Sequence, residues 1–145
     1  MTNILCAGKL DNDIKARAGT SAFDLYSATK FIQLLNAHYW RRQLKDSCEV
    51  LAVSPGLIPD TNIARYIDFE FTMDMPDAKT VPEGASNILR AVHIDGKEFP
   101  EDHEQIFLTS WGEWWGSDVY ALTLDKALQD KYSPGREEIE REEEV

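Results

Sequence analysis

Apolar and polar residues follow a helical period in the longest uninterrupted stretch of the chain. From Leu25 to about Leu44 there is no Gly or Pro. A mostly apolar line recurs at i, i+3, i+4 and i+7, formed by Phe31, Leu34, Leu35 and His38 and extended backward by Phe23 and Ser27. This spacing places them on one face of a helix, because an α-helix has about 3.6 residues per turn. Ser21, with Asp24 three positions later, is typical of a capping box at a helix start. We therefore predict a long helix from Leu25 to Leu44.

Short runs of strand-forming residues alternate with the helical segments. Strands are predicted for Asn3 to Ala7, Glu49 to Val53 and Gln105 to Thr109. Further helices are predicted from Val81-Pro-Glu-Gly84 to about Val92 and from Asp118 to Asp130, whereas Leu57 to Thr80 is predicted to be irregular. Strands and helices in alternation are typical of right-handed βαβ units on a parallel sheet. The fold class is therefore predicted to be α/β, with about three parallel strands and flanking helices.

The composition is that of a single globular domain with an acidic surface. The chain has 145 residues, of which 43% are hydrophobic and 28% are charged. Its formal net charge is −11, which disfavours binding to nucleic-acid phosphates and to anionic lipid surfaces. Acidic residues are concentrated in residues 136–145. We therefore predict one domain over residues 1–135, followed by a solvated acidic tail.

Signals for secretion, membrane insertion and metal binding are absent from the sequence. No apolar run reaches the ~20 residues of a membrane-spanning helix, and the N-terminal segment lacks the features of a signal peptide. Cys6 and Cys48 are too few for a disulfide framework, and Cys48, just before a predicted strand, is predicted to be buried. The histidines show no metal-ligand spacing with each other or with Cys. We expect a cytoplasmic protein with no metal site and no nucleic-acid or membrane partner.

A phenol and an ammonium lie one helical turn apart on the predicted long helix. Tyr26 and Lys30 are at i and i+4, which places their side chains on the same face. A free tyrosine, with a pKa of about 10, is a poor acid or base at neutral pH, but a nearby cation favours the phenolate form. The pair could therefore exchange a proton with an alcohol or carbonyl oxygen. The same spacing also occurs in helices where a solvent-facing lysine only packs on an aromatic ring.

The surroundings of this pair resemble the second half of a short-chain dehydrogenase/reductase, over about Asn3 to Tyr132. Tyr26-x-x-x-Lys30 is followed by a strand that ends in Ser54-Pro55-Gly56, and Thr61 comes soon after. The position of Thr61 is similar to that in the protochlorophyllide-reductase and retinol-dehydrogenase-like subgroup. The stretch F-L-T-S-W-G-E-W-W, from Phe107 to Trp115, resembles fungal members. The resemblance implies a partial Rossmann-like, doubly wound parallel sheet.

The resemblance also implies roles for individual residues. It implies Tyr26 as the general acid/base and Lys30 as a ligand of the nicotinamide ribose of NAD(P)(H). Pro55 and Gly56 would turn the chain toward the nicotinamide, and Thr61 would contact its carboxamide. An apolar pocket for a small ketone or alcohol would be lined by Ile58, Ile63, Tyr66 and Phe69. The helix from Tyr26 to Leu44 would contact another subunit in a homo- or hetero-oligomer.

Two landmarks of that family have no counterpart in this sequence. The Gly-rich turn T-G-x-x-x-G-x-G, which binds the pyrophosphate at a helix N-terminus, does not occur. Cys6 and Ala7 stand where relatives carry serines, and the Ala7 side chain has no hydrogen-bond donor. This chain alone is therefore not expected to hold a dinucleotide. The nucleotide-binding half is expected from coding sequence upstream of Met1 or from another chain.

Three functions remain open from the sequence. The first is an oxidoreductase that moves a hydride between NAD(P)(H) and an apolar ketone or alcohol. The second is a cofactor-independent isomerase or cyclase of a biosynthetic pathway, in which Tyr26 transfers protons. The third is a non-catalytic partner of a full-length relative. Dependence on nicotinamide separates the first from the second, and an effect of Tyr26→Phe on turnover separates both from the third.

Overall fold

A computed structural model describes residues 21–61, 70–95 and 98–135 of the chain. These residues belong to two compact units, divided after Val50 and again before Tyr120. The first unit contains the described residues 21–50 and 120–135, and the second contains those of Leu51–Val119. The predicted strand at Asn3 to Ala7 and the acidic tail lie outside the described residues.

The first unit is built on helix α1, Ala22–Gln43. Ser21 is its N-cap, and the Ser21 Oγ accepts a hydrogen bond from the Asp24 backbone N–H at 3.0 Å. At the other end, the Leu44 N–H donates to the Trp40 carbonyl at 2.8 Å. Because caps of this kind satisfy backbone groups that the helix leaves unpaired, they fix where it starts and stops. The long helix predicted from the sequence is confirmed.

Helix α1 packs against helix α3, Lys126–Tyr132, within the first unit. Its buried residues are Ala28, Leu35 and His38, and Leu35 has no exposed surface. The Arg42 Nη2 on α1 lies 2.5 Å from the Asp130 Oδ1 on α3. Leu35 and His38 belong to the apolar line seen in the sequence, so the helical period identified the packed face. Phe23, at the start of that line, is 61% exposed.

The single helix predicted from Asp118 to Asp130 is wrong in one respect, because the chain forms two helices there. A 3-10 helix spans Ser117–Leu124, and the backbone of Tyr120 within it is not helical. Asp125 then caps α3 by accepting hydrogen bonds from the backbone N–H groups of Ala127 and Leu128, at 2.8 and 3.3 Å. An Asp at that position favours a new helix start over continuation, because its carboxylate bonds the next free N–H groups.

The second unit contains two parallel strands, β1 (Ala52–Val53) and β2 (Phe107–Leu108). The ladder runs from the Ala52 N–H, which donates to the Ile106 carbonyl at 2.8 Å, to the Ser54 N–H, which donates to the Leu108 carbonyl at 2.9 Å. Ile106 and Leu108 are buried. Both strands lie inside the predicted runs but are shorter, because ladder hydrogen bonds join only these few residues.

Helix α2, Val81–Val92, packs against β1 and confirms the helix predicted up to Val92. Its start is a complete capping box: the Thr80 Oγ1 accepts from the Glu83 N–H, and the Glu83 carboxylate accepts from the Thr80 N–H at 2.8 Å. The backbone N–H of Thr80 and then its hydroxyl donate hydrogen bonds to the Glu83 carboxylate, and these lower the pKa of Glu83. The buried residues of α2 are the small or polar Gly84, Asn87 and Ala91. Small side chains on this face let the helix lie close to the strand and the loop that follows it.

Candidate active site

The predicted acid/base pair lies on one face of α1. The Lys30 Nζ stands over the Tyr26 ring, 5.5 Å from its centroid. Tyr26 is 39% exposed, so its phenol can be reached from solvent. The structure thus brings these two predicted residues together, as their spacing requires.

The Lys30 ammonium has hydrogen-bonding capacity to spare. It donates to the Gln33 Oε1 at 3.0 Å, and an ammonium carries three N–H donors. The Thr29 Oγ1 donates to the Tyr26 carbonyl at 2.7 Å, one turn below. A cation over an aromatic face is attracted by the ring electrons. Chemically, the site presents a phenol with a positive charge beside it, and the lysine can donate to a further acceptor.

The other predicted cofactor residues lie in one loop after β1, residues 55–61, which we call the β1 loop. Gly56 has φ of +93°, in the left-handed region that favours glycine. A Cβ on Gly56 would lie 2.6 Å from the Lys79 Cγ, so a larger residue has no room there. The Thr61 Oγ1 donates to the Ile58 carbonyl at 2.8 Å, and Thr61 is exposed. The loop is therefore a defined turn with the Thr61 side chain on its outer end.

Helix α2 holds the beginning of the β1 loop through two residues that sequence reasoning did not identify. Asn87 is 5% exposed, and its Nδ2 donates to the Pro55 carbonyl at 3.2 Å. A Cβ on Gly84 would lie 2.6 Å from the Ile58 Cδ1 and 3.3 Å from the Pro55 carbonyl oxygen. The signal in the sequence was the small and polar line Gly84, Asn87 and Ala91 at near-helical spacing.

The predicted site residues fall into two groups, one in each compact unit. Tyr26 and Lys30 belong to the first unit, whereas the β1 loop belongs to the second. Ile58 is the one predicted substrate-contacting residue in the described part of the chain. The other three, Ile63, Tyr66 and Phe69, lie outside the described residues.

Cys48 was predicted to be buried, which is wrong, because it is an exposed free cysteine at the end of the turn that follows α1. Across residues 21–61, 70–95 and 98–135, no three His, Cys, Asp or Glu side chains form a group that could hold a metal ion. Within the same residues, no helix combines the length and the apolar character needed to cross a bilayer.

A helix with Tyr-x-x-x-Lys on one face, parallel strands and a Pro-Gly loop are the features in which this chain resembles part of a short-chain dehydrogenase/reductase. Comparison with known proteins confirms this resemblance. The chain is 53% identical over 131 residues to a curated short-chain dehydrogenase/reductase of the fungus Pestalotiopsis microspora. The match covers 90% of this chain and 44% of the relative, so the chain spans less than half the length of that protein.

The remaining comparisons add no further relative. No protein-family model matches the chain, and no solved structure matches it. Homology to the short-chain dehydrogenases/reductases implies a Rossmann-like fold. The two parallel strands and the helix that packs on β1 are consistent with that fold.

Proposed function

We propose that this chain supplies the acid/base and nicotinamide-contacting part of an NAD(P)(H)-dependent oxidoreductase that acts on an apolar ketone or alcohol. The observation that carries the proposal is the Lys30 ammonium over the Tyr26 ring on an exposed face of α1, in a chain homologous to a short-chain dehydrogenase/reductase. We further propose that the sheet is part of a doubly wound one.

In this function, Tyr26 transfers the proton and Lys30 assists it. The phenol donates its proton to the carbonyl oxygen of a ketone during reduction, and the phenolate accepts the proton of an alcohol during oxidation. The Lys30 ammonium, 5.5 Å from the centroid of the Tyr26 ring, places a positive charge beside the phenol during both transfers. The exposed position of Tyr26 allows a substrate oxygen to approach it. Positioned general acids and bases contribute about 10²- to 10⁴-fold to rate.

Each unit offers groups suited to the nicotinamide end of a dinucleotide. When bound, NAD(P)(H) supplies or accepts the hydride. Lys30 has N–H donors available for the ribose hydroxyls, and the β1 loop presents the exposed Thr61 side chain. Pro55 and Gly56 set the direction of that loop, which the Asn87 side chain holds at its first carbonyl. The sequence has no Gly-rich turn for the pyrophosphate, so we propose that a further segment or chain provides it.

The proposed substrate is small and apolar. Ile58 is half-buried against Gly84 in the β1 loop, and the other proposed lining residues are Ile63, Tyr66 and Phe69. Subunit contact through the helix from Tyr26 to Leu44 remains a prediction. Light scattering of the purified chain at several concentrations would measure it.

The test combines nicotinamide binding with turnover. NADPH and NADH are titrated against the purified chain by fluorescence of the bound nicotinamide, alone and with the remaining portion of the Pestalotiopsis relative added as a separate polypeptide. Reduction of a panel of apolar ketones is then followed by NADPH absorbance. We expect Tyr26→Phe to reduce kcat at least about 100-fold without changing the Kd for NADPH. Lys30→Met should weaken NADPH binding as well as turnover.

Matched controls on the same helix separate chemistry from folding. Tyr39→Phe removes a phenol hydroxyl near the C-terminal end of α1, and Lys45→Met removes an ammonium just after that end. Both variants should leave NADPH binding and turnover unchanged. Turnover that needs Tyr26 but no nicotinamide would replace the oxidoreductase by an isomerase or cyclase. Tyr26→Phe turnover equal to that of the natural chain would exclude Tyr26 as the acid/base group and would leave the non-catalytic partner.

A further inference from the structure

One residue of the second unit, Asp77, connects the segments that follow both parallel strands. Its carbonyl accepts the Leu57 N–H of the β1 loop at 2.9 Å, and the Lys79 N–H donates to the Leu57 carbonyl at 2.7 Å. Leu57 and Ala78 thereby form a single parallel bridge. The middle of the β1 loop is thus fixed by backbone hydrogen bonds to the segment that begins at Asp77.

The side chain of Asp77 reaches the turn after β2. The Ser110 Oγ donates a hydrogen bond to the Asp77 Oδ1, and Ser110 is 4% exposed. Ser110 itself lies in a turn closed by two hydrogen bonds, from the Thr109 N–H to the Glu113 carbonyl and from the Gly112 N–H to the Thr109 carbonyl. The turn is therefore a fixed partner for the carboxylate.

The backbone of Asp77 indicates that this contact is needed. Its φ is +66°, in the left-handed region that non-glycine residues rarely adopt. Asp and Asn tolerate this region better than most residues, but such backbone persists where surrounding contacts hold it. Here those contacts are the Ser110 hydroxyl and the Lys79 ammonium, whose Nζ lies 3.6 Å from the Asp77 Oδ1. The Lys79 Nζ also lies 5.9 Å from the ring centroid of Trp111, in the same turn as Ser110.

From this geometry we propose that Asp77 is a positioning residue for the β1 loop. Its side chain bonds Ser110 in the turn after β2, and its backbone then holds Leu57 in the loop after β1. In parallel α/β sheets, ligands bind beyond the carboxyl ends of the strands, which is where these two segments lie. The hydrogen bond between Asp77 and Ser110 therefore sets the position of the loop that takes the nicotinamide. This step rests on the proposed function.

The first arm of the test needs no cofactor. Backbone amide exchange of the full chain is measured by NMR for Leu57 and Lys79, with the Ala52 amide of the β1–β2 ladder as an internal reference. Ser110→Ala and Asp77→Gly should each accelerate exchange at Leu57 and Lys79 at least tenfold relative to Ala52. Asp77→Asn keeps an acceptor oxygen and tolerates the same φ, so it should restore exchange to within threefold of the natural chain. Asp74→Asn, in the same segment, is the matched control and should change neither amide.

The second arm measures the Kd for NADPH in the preparation that binds it. Ser110→Ala should raise this Kd at least threefold, whereas the control Asp74→Asn should not change it. The proposal is overturned if amide exchange at Leu57 and Lys79 is unchanged in Ser110→Ala and Asp77→Gly. It is also overturned if Ala52 exchange accelerates equally, or if the Kd for NADPH is unchanged in Ser110→Ala. If no preparation of the natural chain binds NADPH, the proposed function fails, and the exchange arm still decides whether Asp77 positions the loop.

Discussion

His38 should make the stability of this protein depend on pH in the range where histidine titrates. It is 6% exposed on the packed face of α1, and its ring lies 5.6 Å from the ring of Tyr120, centroid to centroid. Among the described residues, the His38 Nε2 has no hydrogen-bond partner. Burial, and then the positive charge of Arg41, lower the pKa of His38 from 6.5 to about 4. The folded protein therefore keeps this imidazole neutral.

The sign and size of the effect follow from the difference in the His38 pKa between the folded and the unfolded chain. In the unfolded chain His38 takes up a proton below its ordinary pKa of 6.5, whereas the folded chain takes it up only near 4. Stability from this group is complete above pH 6.5 and is lost as the pH falls toward 4. At about 1.36 kcal/mol per pKa unit, the upper limit is about 3 kcal/mol, of which about 2 kcal/mol is lost between pH 7 and pH 5.

Urea unfolding at a series of pH values between 8 and 4.5 measures this loss. Carboxylates also titrate at the acid end, so the quantity of interest is the difference between the natural chain and variants that are neutral at position 38 at every pH. His38→Leu and His38→Gln should each flatten the profile between pH 7 and pH 5 by about 2 kcal/mol. His103→Gln replaces an exposed histidine and should leave the profile unchanged.

A particular result would refute this reasoning. If both position-38 variants lose as much stability between pH 7 and pH 5 as the natural chain does, His38 is not buried neutral in the folded protein. If His103→Gln flattens the pH profile of stability equally, the reasoning is also refuted, because the pH dependence would then not come from the burial of His38.

Three further predictions concern the second unit and the turn after α1. Thr80→Ala removes the hydroxyl side of the capping box and keeps the backbone N–H, so it should cost about 1 kcal/mol in urea unfolding. The pKa of Glu83 should rise in an NMR titration, because the hydrogen bond from the Thr80 hydroxyl is lost. Gly84→Ala places a Cβ 2.6 Å from the Ile58 Cδ1 and should cost about 1–3 kcal/mol, and a neutral result would show that Ile58 can move aside. Cys48 is exposed, so a thiol reagent should modify it at once without denaturant, and protection until unfolding would contradict the structure.

Local features of this protein could be predicted from the sequence because they depend on neighbours along the chain. Helix hydrogen bonds join residues four apart, so the absence of Gly and Pro and the Ser21 cap were enough to place α1. The i, i+4 spacing then fixed Tyr26 and Lys30 on one face. The capping chemistry of Asp125 is equally local, so the sequence already contains the signal for the helix start that the predicted continuous helix lacks.

Contacts between distant segments were decided only by the tertiary structure. The Asn87 hydrogen bond to Pro55 joins residues 32 apart in sequence, and the Ser110 hydrogen bond to Asp77 joins residues 33 apart. No periodicity reports such pairs, because each depends on how a helix or turn packs beside a strand. For the same reason the sequence indicated two strands after α1 but not the register that pairs Ala52 with Phe107. The sequence therefore determined that Tyr26 and Lys30 share one face of α1, and packing determined how the loop after β1 is held.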